Sequence, residues 1–440
     1  MEMEILNDNY YAPMDKHCPK IDFSYFFNSS IKLRGDNYLK HIGDLAFNAG
    51  SNAAKFSNGD PNPECSPYQG VTVHLKNGQS FQINGKVLDD ALSYMTIKGY
   101  RPFIDLLKDY QDELHGKQNW NVKGITTTSG SQAALYQIVE MCVSPGDPVL
   151  VQSPLYPGVL SILQHLQVEY LEVESDEYGV SARHLETILF DRKVKGFLMP
   201  KVFYLNPTGT NPTGGIVPLN RKIEIYKICS HFNVLILEDD PYFLLTYKDE
   251  IPSSFLSLDI ENRVVRFDSF SKTLGAGFRV GYVTAAEEII EKLNLIKGSS
   301  AMASPFTQVI LHYTLESMKF EGFLQHMRYI SGFYRKNCEK VLNSLDKYMH
   351  GLATWNVPEG AMFVWLTIND IDHISDEFIQ KCIENLVFIC PGFVFYGKER
   401  QSPCIRLAFS TVNENQIEQG IKVLSYLIRE ELMKNCPNWT

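Results

Sequence analysis

A chain of 440 residues is too long for a single small binding module, and its 44% apolar and 21% charged residues rule out a disordered or low-complexity protein. The net charge of −10, with no long Lys/Arg run, argues against a general nucleic-acid surface or a surface for anionic membranes. Nine cysteines without a C-x-x-C pair support neither a disulfide framework nor a zinc ribbon, so reduced thiols in a cytoplasmic protein are expected. The segment Met1 to Lys20 carries Glu2, Glu4, Asp8 and Asp15 and has no apolar h-region, unlike a secretory or transit leader. No apolar run approaches the roughly 20 residues of a membrane helix, and the sequons at Asn28 and Asn438 are read as chance matches.

In chain order, the first 60 or so residues are rich in Asn, Ser, Gly and Pro and read as a segment packing between domains. From about Asn121 to Ala285, short β-rich runs alternate with amphipathic segments, the pattern of a mostly parallel sheet between helices. A helix opens at Ser131, with Leu135, Ile138, Val139 and Cys142 on one stripe, and Pro145-Gly146-Asp147 ends it. Pro148 to Gln152, Val168 to Val173 and Gly196 to Leu205 read as strands, and Leu219 to Phe232 as a helix. The strands Val234 to Glu238, Val264 to Phe267 and Val280 to Thr284 follow. Long helical segments then cover Glu287 to Leu295 and Thr307 to Leu345. Residues 353 to 410 read as short strands around one helix, and Glu414 to Lys434 as a closing helix. The resulting division is an N-terminal segment 1–60, a large domain 61–305 and a smaller α+β domain 306–440. No internal repeat is seen.

Four motifs stand at strand exits, where open α/β sheets gather ligands. The most informative runs from Asp268 to Gly281 and puts Ser269, Ser271, Lys272, Gly275, Gly277 and Arg279 within eleven residues. Serines and an arginine can hold a phosphate dianion while the glycines let backbone approach, leaving the lysine free for covalent chemistry. Taken singly, Lys272 reads as a solvated loop lysine. The second motif, Glu238-Asp239-Asp240-Pro241-Tyr242, crowds carboxylates at another strand end. There an aspartate can keep a ring nitrogen protonated, though a helix cap or turn explains the pair equally well. The third is the doubled run Asn206-Pro207-Thr208-Gly209-Thr210-Asn211-Pro212-Thr213-Gly214, a turn whose asparagine amide can donate to a ring oxygen. The fourth, Ser129-Gly130-Ser131-Gln132, opens a helix and offers free N–H groups to an anion.

In order, these motifs resemble those of the fold-type I pyridoxal-phosphate enzymes, in particular the class I/II aminotransferases close to kynurenine/2-aminoadipate and fungal aromatic aminotransferases. The S-G-S-Q, N-P-T-G, E-D-D-P-Y, D-S-F-S-K and S-P-C-I-R segments carry the resemblance from about Gly59 to the C-terminus. Asn211, Asp239 and Lys272 are separated by 28 and 33 residues, intervals expected in that subgroup. The resemblance implies a cofactor, pyridoxal 5'-phosphate, bound covalently by Lys272, with Asp239 on the pyridine nitrogen and Asn211 and Tyr242 on the ring oxygen. It assigns Tyr156 to stacking on the ring and Ser131, Gln132, Ser269, Ser271 and Arg279 to the phosphate side. Tyr94 matches a tyrosine that reaches the phosphate of the other subunit of a homodimer. Arg406 matches the arginine that grips the substrate α-carboxylate, although in its alternating strand it could equally be an edge-strand surface residue. The resemblance places Gly59 at the substrate entrance, followed by Asp60 where relatives often carry an apolar residue.

The activity implied is transfer of an amino group from an aromatic, kynurenine-like or 2-aminoadipate donor to 2-oxoglutarate in two half-reactions. Two other readings share the motifs: β- or γ-elimination as in C–S lyases, and a non-catalytic amino-acid sensing domain.

Overall fold

The structure, a computed structural model, describes residues 21–435 apart from 36, 37, 39–41, 43, 44, 47, 48, 50, 51, 55 and 58. The stretch 1–20 and the sequon at Asn438 lie outside the described residues. Near the start, α1 (Ser29–Leu33) is capped by Asn28, whose side chain also donates to the carbonyls of Glu140 and Val143. Asn28 is therefore buried. A hairpin of β1 (Gly70–His74) and β2 (Ser80–Asn84) precedes α2 (Gly85–Leu92) and α3 (Arg101–His115).

The main body alternates β3 (Lys123–Thr128), α4 (Ser131–Cys142), β4 (Pro148–Ser153), α5 (Pro157–Leu163), β5 (Glu169–Asp176), β6 (Gly179–Val180), α6 (Ala182–Lys195) and β7 (Val202–Leu205). It continues with α7 (Leu219–His231), β8 (Leu235–Asp239), α8 (Phe255–Leu258), β9 (Val264–Ser269), β10 (Gly281–Ala286) and α9 (Glu287–Lys297). The strands form one eight-stranded sheet in the order β3-β10-β9-β8-β7-β4-β5-β6. Central strands such as β7 and β8 are buried throughout, which is why they read as unbroken apolar runs. One face packs on α4, α5 and α9 together with Phe23, Phe26, Phe27 and Ile31; the other packs on α6, α7 and α8.

One expected strand starts later in the chain than the sequence suggests. The strand expected from Gly196 begins only at Val202. Gly196 adopts φ +68 and closes α6 by donating to the carbonyls of Arg192 and Lys193, so the apolar Phe197 and Leu198 belong to a helix end and are exposed. The strand expected over Val280 to Thr284 exists as β10, but it runs antiparallel to both neighbours. Its first residue, Gly281, consequently lies at the same sheet edge as the last residues of β3 and β9, Thr128 and Ser269.

Beyond α9, the long helix α10 (Pro305–Tyr348) is two helices joined at Lys319, whose φ of +56 breaks the regular path. A four-stranded antiparallel sheet, β11 (Ala353–Trp355), β12 (Phe363–Ile368), β13 (Cys390–Pro391) and β14 (Cys404–Ala408), follows in the order β11-β12-β14-β13, with α11 (Asp376–Glu384) inserted. The closing helix α12 (Glu414–Asn435) packs with α10 over this sheet. No helix among the described residues is long and apolar enough to cross a membrane.

Candidate active site

Parallel pairing places the carboxyl ends of β4, β7, β8 and β9 on one edge, and the exit of β3 joins them through the antiparallel β10. The four motifs are thereby brought together. At the end of β8, Asp239 is buried, and its Oδ2 accepts the Tyr204 hydroxyl from β7 at 2.8 Å. Its Oδ1 is buried without any hydrogen-bond partner. Burial pushes the carboxyl up to about 6, with the Tyr204 hydrogen bond opposing it. An N–H donor facing Oδ1 would satisfy the orphaned oxygen and favour the carboxylate.

The doubled Asn-Pro-Thr-Gly run divides its labour. Asn206 is scaffold: its Nδ2 donates to the Asp239 carbonyl at 2.7 Å, while its Oδ1 accepts the Asn211 N–H at 2.7 Å. Asn211 in turn accepts the Arg406 Nη1 at 2.8 Å on Oδ1, which leaves its amide NH₂ to donate elsewhere. This bond ties β14 to the edge of the large sheet. Arg406 is not an edge-strand residue, since β14 lies between β12 and β13. Its guanidinium sits 4.7 Å from the Phe363 ring centroid and 5.1 Å from that of Phe395, and its Nε is buried without a partner.

Lys272 follows β9 in a short 3-10 turn. Burial, then the nearby charges of Arg406 and Arg279, hold its ammonium below the ordinary lysine range, which favours the nucleophilic amine. Arg279 holds a left-handed backbone at φ +53, a conformation that costs a non-glycine residue energy. Its guanidinium reaches Ser271 Oγ and the carbonyls of Ala276 and Ser129 at 3.3–3.4 Å. Glycines keep this corner open: a Cβ on Gly130 would fall 2.8 Å from Arg279 Nη2, and one on Gly281 would fall 3.0 Å from the Ser131 N–H nitrogen. With the start of α4, these groups form a cradle for an anion. Ser269 Oγ accepts the Ser271 N–H, and Gln132 donates to the Gly158 carbonyl at 2.7 Å. The Gln132 side-chain amide is thus engaged within the protein. Tyr156 and Tyr242 are half-buried and buried, and burial raises both phenols.

Two predicted residues stay outside this cluster. Tyr94 is 71% exposed, and Gly59 is exposed with nothing within 4 Å of where a side chain would begin. Sequence reasoning named Asn206 in its motif without a role of its own and passed over Tyr204, Phe363, Phe395 and Arg266. The last is wholly buried and pairs with Asp268 at 2.9 Å, Glu238 at 3.2 Å and Asp240 at 3.3 Å. Asp240 thus belongs to an internal charge cluster, although it adjoins Asp239 in sequence. An anion cradle, an orphaned buried carboxylate oxygen and a lysine with a depressed pKa together fit a phosphorylated pyridine aldehyde.

The comparisons agree. The model of the family "Aminotransferase class I and II" matches residues 86–424. The kynurenine/alpha-aminoadipate aminotransferase of Bos taurus, named as mitochondrial, is 32% identical over 94% of this chain and 100% of its own length. The solved kynurenine aminotransferase of Pyrococcus horikoshii, in complex with PMP, is 29% identical with a TM-score of 0.74, covering 93% of this chain and 98% of that one. Aminotransferase Aro8 of Candida albicans, at 22% identity and a TM-score of 0.84 over 94% of this chain and 100% of that one, shares the fold. With its strand-exit motifs assembled into one site, the chain belongs to the class I and II aminotransferases and is a pyridoxal-phosphate enzyme of fold type I.

Proposed function

We propose that this aminotransferase takes the amino group from an aromatic or kynurenine-like donor and delivers it to 2-oxoglutarate in two half-reactions. The observation that carries the reading is Arg406: a guanidinium held between two aromatic rings, hydrogen-bonded to Asn211 and close enough to Lys272 to depress its pKa. That arrangement suits an α-carboxylate and so fixes amino acids as the substrate class without choosing a side chain. The relatives support it, since the bovine protein is named for kynurenine and alpha-aminoadipate and a Thermococcus litoralis relative for aromatic amino acids.

When bound, the cofactor supplies an aldehyde and an electron-accepting ring. Lys272 Nζ would hold the cofactor through its aldehyde and, once freed by the substrate amine, would serve as the base for the α-proton. Asp239 Oδ1 would accept from a protonated ring nitrogen, Asn211 Nδ2 and the Tyr242 hydroxyl would serve the ring oxygen, and Tyr156 would cover the ring. Ser131, the Gln132 backbone, Ser269, Ser271 and Arg279 serve the phosphate. Tyr94, exposed on one chain, serves the partner's phosphate in a homodimer. Gly59 and Asp60 belong to the substrate lip, where Asp60 disfavours the distal carboxylate of 2-aminoadipate. We divide the chain at about residues 60 and 305, with the long helix opening the smaller domain. We place the protein in the cytosol; the seven described cysteines are all free, and fractionation of cells tests the location.

A panel of amino acids added to the yellow enzyme tests the reading: true donors bleach the colour, and 2-oxoglutarate restores it. Comparing kcat/KM for phenylalanine, kynurenine and 2-aminoadipate in the wild type and Asp60→Leu tests the lip. An unchanged aminoadipate-to-aromatic ratio removes Asp60 from the substrate site.

A further inference from the structure

The segment 392–398, between β13 and β14, is fastened to the eight-stranded sheet by its backbone. The Phe395 carbonyl accepts the Leu155 N–H at 2.9 Å. The Lys398 N–H donates to Glu172 Oε1 at 2.8 Å, and the other Glu172 oxygen accepts the Ser153 hydroxyl at 3.2 Å. Gly397 lies so close to Tyr170 that a Cβ there would fall 2.6 Å from a ring carbon. Tyr170 and Glu172 are two residues apart on β5 and so present one face to this segment.

The fastenings at Leu155 and Ser153 lie close in the chain to Tyr156. Leu155 precedes Tyr156, Ser153 ends β4, and the Phe395 ring flanks the Arg406 guanidinium. Glu172 is the only side chain among these contacts that joins both structures at once, taking the segment's N–H on one oxygen and the β4 terminus on the other. We propose that Glu172 is a positioning residue for the transamination site: by clamping segment 392–398 to β4 and β5 it fixes Phe395, and through Phe395 the place of Arg406 relative to Lys272. The inference rests on the reading of Arg406 as the α-carboxylate group. An α-carboxylate is common to every amino acid and 2-oxo acid, so loosening the clamp weakens all of them by one factor. Proton movement at Lys272 in the bound state is little changed.

The test uses the cofactor-loaded enzyme and the variants Glu172→Ala, Glu172→Gln and Gly397→Ala. KM and kcat are measured for phenylalanine, kynurenine and 2-aminoadipate. The Kd of 3-phenylpropionate, a carboxylate without an amine, is read from the change in visible absorption. Glu172→Ala should raise every KM and the Kd about tenfold, the equivalent of one lost charge-assisted hydrogen bond, while kcat stays within about threefold. Glu172→Gln should restore both, because its amide oxygen can accept the Lys398 N–H while its NH₂ donates to Ser153 Oγ. Gly397→Ala should reproduce Glu172→Ala by lifting the segment from Tyr170, and it decides the matter alone if Glu172→Ala fails to fold. A KM and Kd within about twofold of wild type, a change confined to one side chain, or a fall in kcat at constant KM would each overturn the proposal. If the wild type turns over no amino acid while 3-phenylpropionate still binds with a Glu172-dependent Kd, the clamp stands and the substrate reading falls.

Discussion

Tyr204 and Asp239, on adjacent parallel strands, share one hydrogen bond of 2.8 Å that occupies a single carboxylate oxygen and leaves the other bare in a buried site. A carboxylate so placed is half satisfied. It is held in orientation by the protein and completed by the ligand.

The pH behaviour of the cofactor-free chain follows from this. In the folded chain Asp239 keeps its proton up to about pH 6, against an ordinary value of 3.8. The folded state thus binds this proton more tightly than the unfolded one, so raising pH through that window lowers stability. Asp239→Asn, neutral throughout, should therefore make the cofactor-free chain more stable than wild type at pH 8, by up to about 3 kcal/mol, and by little at pH 4. Denaturant unfolding at the two pH values checks this. The same variant should retain cofactor poorly and lose turnover.

Tyr204→Phe removes the bond that lowers the Asp239 pKa. The acid limb of the kcat profile should move to higher pH, with kcat at the optimum reduced by less than about tenfold. An unmoved limb would mean that the phenol does not govern this carboxylate once the site is loaded.

Asp239→Ala should cost far more activity than Asp240→Ala, because Asp240 Oδ2 is engaged by Thr208 and Arg266 inside the protein. The cost of Asp240→Ala should appear in stability, about 3 kcal/mol, from breaking a buried charge cluster. Parallel measurements of kcat and denaturation midpoint separate the two effects. The reverse order of activities would move the ring-nitrogen role one residue along.

Lys272→Ala should reduce turnover by at least about 10⁴-fold while the phosphate cradle still retains cofactor non-covalently. Dialysis followed by a phosphate or absorbance assay measures that retention. Turnover like that of the wild type would remove Lys272 from the chemistry.

Tyr94→Phe should weaken cofactor retention without changing the fold if the exposed phenol reaches across a dimer. Sedimentation at graded concentrations, paired with activity, checks this. A fully active monomer at high dilution would refute that geometry.

How far the site was legible depends on how local each feature is. Lys272, Asp239, Asn211 and Ser131 were readable because a strand exit is written in consecutive residues: an apolar run, then turn-forming and polar groups. Tyr204 was not, since a tyrosine inside the apolar run Val202–Leu205 looks like ordinary strand filling, and only the neighbouring strand shows where its hydroxyl goes. Arg266 is hidden in the same way within β9. The direction of β10 and the pairing of Phe363 and Phe395 around Arg406 depend on segments far apart in the chain, which periodicity does not encode. The doubled Asn-Pro-Thr-Gly run carried a further signal: two copies of one tetrapeptide, of which the first supports the second through Asn206 and the Asn211 N–H.

The setting of Arg406 between Phe363 and Phe395, with Asn211 holding Nη1, has a thermodynamic consequence for recognition. A long, flexible side chain ordinarily loses up to about 2 kcal/mol of rotamer freedom when a ligand orders it. Here that loss is incurred once, when the chain folds. An arriving carboxylate meets a guanidinium whose orientation is already selected, so more of the charge-assisted bonding survives as affinity and the encounter needs no search among rotamers.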